Sequence, residues 1–279
     1  MGARLSSDMV TFERRVGGVL RYLKVWFPSR EEALEISESL QPNTVVRVFG
    51  ASSDLTELPH LIEHRKLLTA WLDLSPGPEE ILKGMRRKSC RYEIRRAEKM
   101  LDGVEIEINS SRAHRDFLAV FSDFAGIKNL PKLPAQRLRE YGDQGDTFVL
   151  YLKGEPLCGH LLLRDTASGI VRLLNSGSRR LQTPEDAAAC GALNRYLHWH
   201  EIQRYHNQGF RIFDFGGIRD DEDSVTRFKL SFGGSPVTEH YYLFGGSRWI
   251  AKLGNLVHEK LFRRRVVVSK SNGTVENAE

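Results

Sequence analysis

Apolar and polar positions along the chain fall into alternating strand-like and helix-like stretches. Apolar runs rich in β-branched and aromatic residues predict strands at Val19–Trp26, Val45–Phe49, Leu67–Leu74 and Val104–Ile108, with Tyr22 and Trp26 reading as core residues of the first. Helical spacing predicts helices over Arg30–Leu40 and Pro78–Met100. Asn109-Ser110-Ser111 breaks the pattern, and further helices are expected over Arg112–Phe124 and Pro134–Tyr141. Thr147–Leu152 and Cys158–Arg164 flank the turn signal Lys153-Gly154-Glu155-Pro156, which reads as a hairpin, and Ile170–Leu174 adds another strand. A long helix follows from Pro184 to about Gln208, with Thr183 as N-cap, Pro184 at the first position, Glu185 and Asp186 in the first turn and Gly209 as the stop. Ala189, Leu193, Tyr196 and Leu197 give it an apolar face. The tail after Lys270 reads as disordered.

The stretch from Arg211 to Ser235 asks for more than packing. It brings an aspartate between two phenylalanines (Phe213-Asp214-Phe215), a glycine pair (Gly216, Gly217), an acidic run, a lysine between Phe228 and Leu230, and a second glycine pair (Gly233, Gly234). Gly-Gly directly after a strand permits positive φ and lets another molecule approach the main chain closely. A lysine on a short helix with apolar neighbours has its ammonium held near low-dielectric surroundings, where it attracts an anion strongly. The segment reads as a receptor for a charged ligand.

Composition narrows the class. At 279 residues, 41% hydrophobic and 28% charged, the chain has the make-up of a globular protein with one large core or two modest ones. The sequence contains neither a run of about eighteen apolar residues nor a charged start followed by an apolar stretch, which points to the cytoplasm. Three widely spaced cysteines, Cys90, Cys158 and Cys190, argue against a disulfide framework or a zinc knuckle. His198 and His200, two apart on a helix, point to different faces and argue against a metal site with His206. The net charge of +5 is set between Lys83 and Lys99, where eight cations against two anions give a local +6 and leave the rest of the chain close to neutral. Lys83, Arg87, Arg91 and Arg95 recur every four residues and would line one helical stripe, suited either to phosphate or simply to water. Arg263-Arg264-Arg265 after an amphipathic Trp249–Phe262 segment reads as a solvated helix end.

Four blocks in this order, Leu72-Asp73-Leu74-Ser75, LKGMRRKSCRYEIRRAEK, FDFGGI at Phe213–Ile218 and RFKLSFGG at Arg227–Gly234, resemble the Fem-type peptidoglycan aminoacyltransferases, a branch of the GNAT acyltransferase superfamily. The similarity runs from about Leu72 to Tyr242. It implies an α/β protein with a mixed sheet: a GNAT-like acyltransferase domain over residues 76–265, a reduced GNAT-like lobe over 1–75 and a tail over 266–279. It also implies transfer of an acyl or aminoacyl group to a primary amine, without metal or covalent enzyme intermediate. Fem-type enzymes draw the group from aminoacyl-tRNA and place it on an envelope precursor, while GNAT relatives draw it from acyl-coenzyme A. At most peripheral contact with the inner membrane face follows.

The resemblance assigns roles to particular residues. Lys229 matches the family's Phe-Lys position and would neutralise phosphate or oxyanion charge, with Phe228 offering a stacking face for a terminal base. An ion pair from Lys229 to Asp214 or Glu222 is the purely structural alternative. Asp214 is either the proton acceptor or a side chain that holds the Gly216-Gly217 turn. Arg91 and Arg95 would clamp acceptor phosphates. A coenzyme A site expects a glycine-rich loop before the long helix, whereas SGSRRLQTPED has one glycine and two acids in the first turn, which favours an aminoacyl-tRNA or another donor; Arg179 and Arg180 weigh the other way. A nucleic-acid-binding module or a scaffold that has lost its chemistry are the rival classes.

Overall fold

The computed structural model describes residues 10–181, 187–219, 223–247 and 249. Ten strands form one mixed sheet: β1 (Val10–Val16), β2 (Leu20–Trp26), β3 (Thr44–Ala51), β4 (Leu61–Asp73), β5 (Val104–Ile108), β6 (Gly145–Leu152), β7 (Glu155–Asp165), β8 (Ile170–Ser178), β9 (Ile212–Ile218) and β10 (Ser235–Gly245). Their spatial order is β1-β2-β3-β10-β4-β9-β8-β7-β6-β5, with β2–β3 and β8–β9 parallel and every other neighbour antiparallel. Seven α-helices accompany it among the described residues: α1 (Arg30–Glu38), α2 (Pro78–Gly84), α3 (Tyr92–Glu98), α4 (Ser111–Ile127), α5 (Ala135–Tyr141), α6 (Ala187–Asn207) and α7 (Ser224–Leu230). No described helix is long and apolar enough to cross a membrane.

Local chemistry fixes many of the boundaries. Ser29 caps α1 through a reciprocal capping box with Glu32. Asn109 takes φ +57° at the expected break, and the Ser110 hydroxyl accepts the Ala113 N–H at 2.9 Å to start α4. Lys153 and Gly154, both at positive φ, close the β6–β7 hairpin. Past α6, Gly209 takes φ +83° and the Phe210 N–H closes back on the Tyr205 carbonyl at 3.0 Å. The proposed cap of α6 at Thr183–Asp186 lies outside the described residues, as do Glu222, residues 250–265 and the tail.

Two expectations change. The single helix over Pro78–Met100 is in fact α2, a π-turn at Arg87–Arg91 and α3, so Lys83 sits on a different helix from Arg91 and Arg95 and the four-residue stripe is broken. Lys83 pairs with Glu80 at 2.7 Å instead. Strands β1 and β10 are additional. Strand β10 returns from the C-terminal part to lie between β3 and β4, so one sheet runs through the first seventy residues and the rest.

Each face of the sheet has its own core. Phe213, Phe215, Leu72, Val171 and Leu173 point to one side, where α3, α6 and Phe232 cover them. On the other side α4 and the β1–β2 hairpin pack over Val149, Leu161, Leu163 and Ile170. Fully burying such side chains contributes about 1.5–3 kcal/mol each, which is what holds β9 in the middle of the sheet.

Candidate active site

Strand β9 is where the sheet opens. It pairs with β8 only through Ile170↔Ile212, Val171↔Phe213 and Arg172↔Asp214. Beyond that point β8 continues to Ser178 along β7, and β9 continues to Ile218 along β4. The facing edges of the two strands are parted there. The cause lies in the glycines. Thr69 faces Gly217 while Trp71 faces Asp214, so two steps on β4 answer three on β9, and β9 carries a bulge. Gly216 sits in it at φ +74°, and a Cβ there would lie 3.0 Å from the Leu173 carbonyl oxygen and 3.9 Å from Lys229 Nζ.

Asp214 holds this bend from within. Its Oδ1 accepts the Gly216 N–H at 2.7 Å and the Thr69 hydroxyl. Its Oδ2 lies 3.1 Å from Arg172 Nη1, within ion-pair reach but not aligned as a hydrogen bond. Arg172 is clasped by both Glu239 oxygens, with Nη2 donating to Oε1 at 2.8 Å, and its guanidinium carbon lies 5.4 Å over the Trp26 ring. Burial pushes the Asp214 carboxyl up, against the opposing pull of Arg172 and of the Thr69 hydroxyl.

Lys229 reaches the same bend from α7. Asp223 caps that helix by accepting the Thr226 N–H at 2.6 Å. The Lys229 ammonium donates to the Gly217 carbonyl at 2.6 Å. Burial pulls its pKa down to about 8, while the nearby Asp214 charge acts the other way. Gly216, Gly217, Asp214 and Lys229 are therefore brought together. Phe228 turns toward an aromatic cluster, 5.7 Å from His198 and 5.4 Å from Phe232 between ring centroids, and the Arg195 guanidinium carbon covers its ring at 4.5 Å. Arg91 is half-buried and Arg95 exposed. Their segment is tied to the end of α7 by the Arg86 N–H, which donates to the Ser231 carbonyl at 2.9 Å.

Three contributors escaped the sequence reading. Arg172 stands out in retrospect as the single charge in the apolar run Ile170-Val171-Arg172-Leu173-Leu174, whereas Thr69 and Glu239 carry no local signal. The helix histidines do not converge: His206 Nδ1 lies 2.7 Å from the Leu74 carbonyl oxygen, and His198 is fully buried. His198 instead meets His160 and Glu201, whose ligand atoms all lie within 4.8 Å of one another, a spacing compatible with a metal ion. Glu201 bridges the two imidazoles, at 2.6 Å from His160 Nδ1 and 3.1 Å from His198 Nδ1. Burial pulls His198 down to about 4, with the His160 ring stacked on it at 4.0 Å.

The end of the β8–β9 pairing, the glycine bulge and the half-buried lysine beside it make up the candidate site. The sequence of residues 84–230 matches the acetyltransferase (GNAT) domain family, and the chain belongs to that family. No curated protein matches the sequence. Among solved structures, FemX superposes with a TM-score of 0.60 at 10% identity, over 90% of this chain and 86% of that one. L-PGS from Bacillus licheniformis superposes with a TM-score of 0.55 at 16% identity, over 92% and 90%. At these identities the likeness is one of fold.

Proposed function

We propose that the protein is an N-acyltransferase that moves an acyl group from an activated carrier onto a primary amine in the gap between β8 and β9. The observation that carries this reading is the parting of the two strands beside Gly216 and Lys229. The free edges offer main-chain N–H and C=O groups along which the arm of a carrier can lie. As the amine attacks, the carbonyl oxygen gains negative charge, the bond to the carrier breaks and the amine loses a proton. The Lys229 ammonium offsets the oxyanion, and Asp214 supplies the carboxylate that takes the proton.

The family supports a coenzyme A thioester as donor. The exposed cations of the segment that docks on α7, assigned to the acceptor's phosphates on the resemblance alone, would instead serve the carrier's phosphates, since α3 packs with α6 and α7 on one side of the sheet. The same cations suit an aminoacyl-tRNA, the second reading. The Fem-type resemblance favours an amine on an envelope precursor over a free metabolite. Purified protein incubated with an amine mixture and either acetyl-coenzyme A or charged tRNA, followed by mass spectrometry, tests the proposal. Consumption of the thioester with formation of an amide is expected; consumption of neither donor would refute it.

A further inference from the structure

Unpartnered polar tips gather on the side of β9 that faces away from α7. Trp26 is 8% exposed and Asp214 is fully buried, yet the Trp26 and Trp71 indole N–H groups have no hydrogen-bond partner and Asp214 Oδ2 has only its ion pair with Arg172. Buried donors and acceptors are almost always satisfied, so a group of them on one face marks a place where polar matter belongs. Trp71 stands directly opposite Asp214 in the β4–β9 register and so shares its face. Trp26 belongs to β2, five places away from β8 in the sheet order, which in a flat sheet would be about 24 Å. Its ring nonetheless lies under Arg172 of β8, so the sheet curls and this face is concave.

The chemistry of the face selects a ligand. Asp214 and Glu239 together outweigh Arg172 by one negative charge, and the rings of Trp26, Trp71 and Phe49 stand around them, with Trp26 stacked on Phe49 at 4.5 Å. Carboxylates and aromatic faces together suit an ammonium. The indole N–H groups need oxygen acceptors. Lys24 and Arg47 lie one step further along the same face, paired across β2 and β3, and would repel a second cation.

We infer that the concave face between β2 and β9 binds a primary monoamine that carries oxygen acceptors near its nitrogen, as an amino acid or an amino sugar does. This rests on the acyl-transfer reading, of which it would be the acceptor side: the amine meets Asp214 from one side of β9 while the donor lies along the other.

Four tryptophans give four indole N–H signals in a ¹H–¹⁵N spectrum, and single Trp→Phe variants assign them. Donor-free protein is titrated with β-alanine, glucosamine, n-butylamine, butanoate and spermidine. Saturable shifts of the Trp26 and Trp71 signals, with Trp199 unmoved, are expected for β-alanine or glucosamine. The tighter of the two tells carboxylate from hydroxyl recognition, while n-butylamine, butanoate and spermidine bind more weakly. Trp71→Phe, which keeps a ring and removes the N–H, should weaken that binding about fivefold. Unmoved indoles with all five compounds would mean that ordered water alone fills the face and would overturn the inference, as would equal binding of butanoate. If an amine shifts the indoles but is not acylated when donor is added, the site stands and the acyl-transfer reading fails. Acylation with unmoved indoles keeps that reading and overturns the site.

Discussion

Two charged regions of this chain are built on opposite principles. Residues 83–99 carry eight cations on a broken helix, mostly facing water, whereas the β9–α7 region, also rich in charge, withdraws two of its charges, Asp214 and Lys229, from water. Water screens the first set and lets each side chain move. Low-dielectric surroundings and main-chain contacts fix the second, and there the ionisation of Asp214 and Lys229 departs from the ordinary. Charge density in a sequence is thus a poorer guide to chemistry than one or two charges set in apolar surroundings.

The contrast can be broken deliberately. Asp214→Ala removes a buried partner of Arg172 and the acceptor that holds Gly216, and should lower unfolding free energy by about 3 kcal/mol in a urea titration. Lys229→Ala should leave that titration nearly unchanged while lowering turnover on the order of 10²–10³-fold, the cost of one oxyanion donor. Equal losses of stability in both variants would show that Lys229 only props the fold. Gly216→Ala forces a side chain to φ +74° against the Leu173 carbonyl, and should cost about 1–2 kcal/mol along with most of the activity.

Acid should separate the regions further. His198 is held neutral by burial, with a folded pKa of about 4, below its ordinary value of about 6.5. The unfolded chain takes up that proton first, so stability falls as pH drops from about 6.5 to about 4. His198→Phe should flatten that decline in pH-dependent melting curves; an unaltered decline would place its origin elsewhere. At the alkaline end, turnover should fall above about pH 8 as Lys229 loses its proton, and Lys229→Arg should carry the fall upward. The smallest effect is expected from the water-facing region: Arg91→Glu with Arg95→Glu should raise the donor's KM severalfold with kcat nearly kept, and weaken further with added salt. A change in kcat alone would argue against a phosphate clamp.

Much of the fold was legible in local patterns. The break at Asn109, the Lys153-Gly154 hairpin and the Gly209 stop are short-range devices, written where they act. The π-turn at Arg87–Arg91 was not, because its cause is tertiary: the Arg86 N–H is taken by Ser231 across the core, and Cys90 is buried beneath. Strand β10 was missed because Ser235–Gly245 carries polar residues on an edge-like pattern, although it ends up between β3 and β4. In the site, the glycine pair and Lys229 could be read directly. The partners of Asp214 could not: Thr69, Arg172 and Glu239 come from three other strands and meet only through the register of the sheet.

The most direct test is a crystal structure with a hydrolysis-resistant acetyl-coenzyme A thioether. The account predicts ligand density between the parted ends of β8 and β9, with the acyl oxygen beside Gly216 and within reach of Lys229 Nζ. A ligand bound elsewhere, with the gap left empty in a saturated crystal, would contradict it.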